Sequence, residues 1–331
     1  MVSDLREATR TRESDAENVG TVAILGLGLM GGSLARDLSA LGLRVLGYDG
    51  DPATTEAALA SGCIHGVLGG TAALRPEPDG AVPEDPFRGI EEADLVVLAL
   101  PVAVATDVLE RLAHRLGAVL VTDVGSTKRS IVATARAAGL ADRFVGSHPL
   151  AGDHRSGWPA ARAGLFRGAT VFLCPPRCAA AEAGGGAAAE RTSAALEQVA
   201  ALWRWVGGEP QPISAEEHDA RMAWVSHLPQ AASSALAAAL AGSGYGAGAV
   251  GPGGRDVTRL AASSPALWTD ILLDNADLLE PALASFGALL DGLRAAVDRR
   301  DGPEVTRILA AGRAWKEGDG ESAPSGENAG R

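Results

Sequence analysis

Apolar positions fall into two regimes along this chain. In the first half they gather in short unbroken runs: Val22-Ala23-Ile24-Leu25, Leu95–Leu100, Val119-Leu120-Val121-Thr122, Phe144–Ser147 and Thr170–Leu173. Runs of this length, bounded by Gly, Pro or Asp, predict strands buried on both faces, as in a parallel sheet. Helical stretches lie between them, over 32–38, Pro52–Ser61, Val104–Arg115 and Lys128–Ala138. Residues 66–89 are crowded with Gly, Pro and acidic side chains and predict loops.

In the second half the runs give way to helical spacing. Arg191–Val206, Glu216–Ala241, Pro265–Leu279 and Ala282–Arg300 are alanine-rich, with recurring Leu, Met and Trp. The change predicts two domains, a dinucleotide-binding-type α/β domain over 19–178 and a helical domain over 191–316. The Ala/Gly-rich stretch 179–190 would join them, with residues 1–18 and 317–331 disordered. The fold class expected is α/β: an N-terminal Rossmann-type doubly wound sheet with a C-terminal all-helical dimerisation domain. The apolar helix faces predict a homodimer.

The first strand runs straight into Gly26-Leu27-Gly28-Leu29-Met30-Gly31 and then a helix. Glycines in that turn let backbone approach a pyrophosphate, and the first helical turn offers free N–H groups and a positive dipole end. The next strand, Arg44–Tyr48, ends on Asp49. A carboxylate there takes both hydroxyls of an adenosine ribose and repels a 2′-phosphate, so NAD is expected over NADP. Gly26, Gly28, Leu29, Met30, Gly31 and Asp49, with Leu100 and Pro101 at a later strand end, form the expected cofactor set.

Composition narrows the class. Net charge is −12 without a basic patch, which argues against nucleic acid. Three cysteines, Cys63, Cys174 and Cys178, make no disulfide framework, and no Cys/His pair completes a metal site with the last two. The polar start lacks a signal-peptide core and no run is long enough to span a membrane, so a cytoplasmic protein is expected.

Chemistry-bearing residues collect after strand ends and in the helical half. They are Asp123–Lys128, Ser147–Gly152, Glu217-His218-Asp219, Ser226–Gln230 and Gly254–Ala261. His148, between a strand and a proline, suits a general base, since a neutral imidazole accepts a proton near pH 7. Ser126 reads either as a partner of that histidine or as the cap of the following helix. Lys128 reads either as a residue near ligand or as solvent-exposed. Arg259 and Arg255 are candidate anion receptors, Arg255 equally a subunit contact.

The stretches GLGLMGGSLA, VTDVGSTK, GSHPLAG, EHDARMAWVSHLPQ, GRDVTRLAASSPALW and DNADLL occur in this order over residues 20–297. This set resembles the prephenate/arogenate dehydrogenase family of the tyrosine branch. The resemblance implies NAD-dependent oxidative decarboxylation of prephenate to 4-hydroxyphenylpyruvate. His148 would accept the ring hydroxyl's hydrogen bond beside Ser126, Arg259 would bind the ring carboxylate, and His227 would line the pocket. His218 and Asp219 read either as members of the helical-domain site or simply as pins of a helix start.

Two departures bear on substrate. Gln230 stands where many members carry histidine, and Asp153 follows SHPLAG where neutral or basic residues are common. Asp153 would attract an ammonium and tilt the site toward arogenate, or face solvent. Arogenate or dual use is the alternative, with an amino-substituted prephenate analogue behind it. A 3-hydroxy-acid reductase typically needs a helical-domain lysine, and none lies between Arg191 and Arg313.

Overall fold

The computed structural model describes residues 19–70, 85–152, 155–176 and 186–318. Asp153 and Cys178, and the tails expected to be disordered up to Asn18 and beyond Gly318, lie outside them. The described residues fall into two compact units, divided between Ala276 and Asp277.

The first unit is built on an eight-stranded sheet. Its strands are β1 (Thr21–Leu25), β2 (Arg44–Tyr48), β3 (Gly66–Val67), β4 (Leu95–Leu98), β5 (Leu120–Asp123), β6 (Phe144–Pro149), β7 (Thr170–Cys174) and β8 (Glu209–Pro212). Their spatial order is β3-β2-β1-β4-β5-β6-β7-β8, parallel except for the β6–β7 pair. The order reverses between β1 and β4, and the crevice above such a switch point is where an open α/β sheet binds ligands. Alternate residues of β1 serve opposite cores: Val22 and Ile24 one, Ala23 and Leu25 the other. That double burial is why these strands read as unbroken apolar runs.

The helices of the sheet layer are α1 (Leu29–Ala40), α2 (Pro52–Ala60), α3 (Val102–Leu112), α4 (Arg129–Ala137) and α5 (Ala187–Trp205). Helix α5 corrects the expected division at 179–190. Ala195, Val199, Leu202 and Trp203 pack into the sheet core, so this helix belongs to the α/β layer. The chain then adds the unexpected strand β8. Its sequence, Glu-Pro-Gln-Pro, reads as non-strand, but an edge tolerates proline where the missing N–H faces outward. Glu209 and Ile213 donate to Ala169 and Leu173, which leaves Pro210 and Pro212 on the outer side.

Beyond β8 come α6 (Ala215–Met222), α7 (Leu228–Gly242), α8 (Pro252–Thr258) and α9 (Pro265–Asp274). The helix expected over Glu216–Ala241 is interrupted by a π-helical turn, Ala223–His227. Pro229, in the first turn of α7, has no N–H for the carbonyl four residues back, and the wider turn absorbs the defect. The break expected between Leu279 and Ala282 occurs instead at Asn275. The second unit holds most of α10 (Ala276–Asp298) and α11 (Gly302–Glu317), the latter capped by the Asp301 carboxylate and closed by Gly318.

Candidate active site

The glycine turn links β1 to α1. Gly26 adopts φ +92°, and a Cβ there would sit 2.2 Å from the Ala99 carbonyl oxygen. A Cβ on Gly31 would meet the Gly26 oxygen at 1.9 Å, so α1 approaches the turn closely only because residue 31 is glycine. Gly28, the N-cap, supplies no side chain to the first N–H groups, and a Cβ there would lie 3.9 Å from the Gly157 Cα. That combination suits a pyrophosphate. Asp49 is fixed at the tip of β2, accepting from Leu27 N–H at 2.7 Å and Asp51 N–H at 2.9 Å. These residues fit an adenine dinucleotide.

A cleft of about 630 Å³ opens beside the turn. Gly28, Leu29, Met30, Leu100 and Pro101 line its cofactor side, Ser126 and His148 its floor, and Ser263, Trp268 and Asp270 the facing wall. Arg155 and Gly157 also line it, Gly157 next to Gly28 of the glycine turn. Gly26, Gly31 and Asp49 support the turn without lining this cleft.

His148 emerges near the end of β6. Its Nδ1 lies 2.8 Å from Nε2 of His218, whose Nδ1 lies 2.7 Å from Asp219 Oδ1. The Asp219 carboxylate also accepts the backbone N–H groups of Lys128 and Arg129, each at 2.9 Å. Asp219 thereby caps α4 from outside, which was one of the two readings of Ser126. Ser126 makes no cap bond and faces the cleft instead.

Burial and the neighbouring His218, Lys128 and His227 push the His148 pKa well below 6.5, so its ring is neutral near pH 7. Burial also lowers His218, against the pull of Asp219. Burial raises the Asp219 carboxyl, but the bonds from His218, Arg129 and Lys128 outweigh it and hold the pKa below 3.8.

Lys128 is neither exposed nor in the cleft. It is buried against Asp123, whose other oxygen accepts the Ser147 N–H. The pair locks the ends of β5 and β6, and so the base of His148. Behind it, Ser147 Oγ accepts from the Trp203 indole at 3.0 Å.

Several expected pocket residues sit elsewhere. His227 is buried behind the cleft wall, edge-on to Trp268, with Nδ1 accepting from Asn275. Burial lowers its pKa to about 4. Gln230 is 3% exposed and donates to the Leu260 carbonyl and to Ser234, steadying the turn that carries Arg259. Arg259 is exposed and does not line the cleft; the wall begins at Ala262. Arg255 is exposed and donates to the Val250 carbonyl. Arg155, Trp268 and Asp270 enter the site without having been expected. Trp268 closes the stretch GRDVTRLAASSPALW, while Arg155 and Asp270 had only proximity to a motif as a signal. Among the described residues no group of three or more His, Cys, Asp or Glu side chains could hold a metal ion. No helix there is long and apolar enough to cross a membrane.

Comparison with known proteins bears on the family and the fold. Residues 78–208 match the family model described as "Prephenate dehydrogenase, nucleotide-binding domain", and residues 214–311 its "dimerization domain". Residues 21–127 also match "NADP oxidoreductase coenzyme F420-dependent". The prephenate dehydrogenase of Bacillus subtilis is 33% identical, over 90% of this chain and 76% of its own. The cyclohexadienyl dehydrogenase of Zymomonas mobilis is 34% identical, over 85% and 89%.

This chain belongs to the prephenate dehydrogenase family. A crystal structure of the A. aeolicus prephenate dehydrogenase, in complex with hydroxyphenyl propionate and NAD+, aligns with TM-score 0.73 and 29% identity. The alignment covers 91% of this chain and 98% of that one. The chain therefore has the family's architecture, a Rossmann-like nucleotide-binding domain followed by a helical domain of the dimerisation type. The change between the two family models, after residue 208 and before 214, falls at β8.

Proposed function

We propose that this family member oxidatively decarboxylates prephenate with NAD+. The observation that carries the reading is the neutral His148 on the floor of a cleft whose other end is the glycine turn backed by Asp49. When bound, the nicotinamide supplies the acceptor for the hydride leaving the ring carbon that bears the hydroxyl. His148 takes the hydroxyl proton as the carbonyl forms. The bond to the ring carboxylate then breaks, its electron pair enters the ring, and CO2 leaves. The aromatic product regains a proton at oxygen. Neutral His148 is the form able to accept at pH 7. Ser126 orients the hydroxyl beside it.

Preference for NAD+ over NADP+ rests on Asp49, a fixed carboxylate where a 2′-phosphate would lie. Arg155, on the cleft, and Arg259, three residues ahead of its wall, are the candidate receptors for the two substrate carboxylates. A homodimer through the helical domain is proposed from exposed apolar side chains such as Leu236, Val257, Leu289 and Trp315.

Arogenate is the second reading, favoured by the Asp270 carboxylate on the cleft wall. NADH formation by purified protein, with prephenate and arogenate supplied side by side, tests both. Turnover of prephenate is expected; turnover of arogenate alone reverses the substrate assignment, and turnover of neither removes the reading.

A further inference from the structure

The imidazole of His148 has one nitrogen engaged inside the protein and one left for the cleft, and its value as a base depends on which nitrogen holds the proton. The partners decide this. Asp219 is an acceptor, already receiving two backbone N–H groups. The contact of His218 Nδ1 with that carboxylate therefore requires a proton on His218 Nδ1. A neutral His218 then has a bare Nε2. That Nε2 lies 2.8 Å from His148 Nδ1, so His148 must donate from Nδ1, which leaves its Nε2 bare.

We infer that Asp219 and His218 are positioning residues that hold His148 in the tautomer with a free Nε2 acceptor toward the substrate hydroxyl. The inference deepens the proposed reaction and rests on it for the identity of the proton donor. When the substrate O–H bond breaks and an N–H bond forms at Nε2, the resulting imidazolium is stabilised through His218 by the Asp219 charge. No proton need travel beyond His148.

The anchoring explains why the relay is stiff. Asp219 is tied to the start of α4, and its own carbonyl accepts from Asn275 at 2.9 Å. His218 is fully buried and packs edge-on against Phe172 of β7. The charged and titratable groups around the two rings are Lys128, Asp123, Asp219 and His227.

The tautomer can be read without substrate, by NMR of the full chain with isotope-labelled histidine. His148 is expected to carry its proton on Nδ1; a proton on Nε2 in the wild type overturns the inference whatever the reaction proves to be. Kinetics give the second arm. In His218→Leu, Asp219 keeps its backbone donors, but His148 loses its acceptor. Its kcat for NADH formation is expected to fall about 10²-fold. NAD+ affinity should stay within about threefold, because the cofactor end makes no contact with the relay. In His218→Gln the side-chain carbonyl can accept from His148 Nδ1–H, and the loss should stay under about tenfold. The acidic limb of kcat should move to lower pH in His218→Leu, since the imidazolium has lost its acceptor. Equal losses in both variants, or losses matched by weaker NAD+ binding, would mean that His218 only holds the fold.

Discussion

The two ends of the cleft are built in opposite ways. The cofactor end is local: Gly26 to Gly31 and Asp49 lie within one strand–helix–strand unit, and its chemistry is backbone N–H groups and one carboxylate. The base end is assembled from distant segments. His148 is reached from His218, 70 positions on, and Asp219 caps a helix that begins about ninety positions earlier. Holding a phosphate needs only a tight turn, whereas choosing the tautomer of one imidazole needs partners on several elements. Binding and chemistry should therefore separate under mutation.

The largest separation is expected from His148→Asn. Loss of the proton acceptor should lower kcat by about 10³-fold, within the range for general-base removal, with NAD+ affinity changed less than about threefold. Steady-state kinetics and a fluorescence titration with NAD+ check it. Parallel loss of cofactor binding would show that the ends are not independent.

Acid should act on the buried imidazoles rather than on the cofactor end. A histidine whose folded pKa is depressed stays neutral when folded, while the unfolded chain takes up the proton below about pH 6.5. Stability is thus full above pH 6.5 and falls as pH drops toward the folded value, which for His227 is about 4. That depression corresponds to about 3 kcal/mol between pH 7 and pH 4. Urea midpoints at both pH values, on wild type and His227→Gln, measure it. The variant should lose most of this difference; an unchanged pH slope would remove His227 from the account.

At the cofactor end, Asp49→Ser should shift the NADP+/NAD+ ratio of kcat/KM by at least about tenfold toward NADP+, as a like-charge clash disappears. NAD+ binding should also weaken a few-fold, because the shorter side chain loses its hold on Leu27 N–H. A constant ratio would mean that Asp49 serves the turn alone.

Legibility follows the same division. The turn, Asp49 and the buried strands stood out because each is a contiguous pattern. His148 and Ser126 stood out because strand ends in such sheets carry function. What escaped depends on distant partners. An alanine-rich helix looks alike whether it covers a sheet or another helix, and nothing near Trp203 announces that its indole bonds Ser147, 56 positions earlier. Pro210 and Pro212 disguised an edge strand. The roles of His218 and Asp219 stayed open because their partners, His148, Lys128 and Arg129, lie about 70 to 90 positions earlier in the chain. Arg259 and Arg255 were assigned on guanidinium chemistry and a motif, neither of which fixes a side chain's place, and the folded turn leaves both exposed.

The smallest effect concerns the wall opposite the base. Arogenate carries an ammonium where prephenate carries a keto group, so a nearby carboxylate distinguishes the two by charge alone. Asp270 lines the cleft but is solvent-exposed, and an exposed pair contributes at most about 1 kcal/mol. Asp270→Asn should therefore lower kcat/KM for arogenate about two- to fivefold and leave prephenate unchanged or slightly improved. The ratio should approach unity at high salt, as screening predicts. If both substrates respond alike, discrimination rests on another group near the side chain, and Asp153→Asn is the next variant to measure. A response larger than about tenfold would mean that the carboxylate is desolvated when substrate is bound. The wall would then be as specific a device as the relay that faces it.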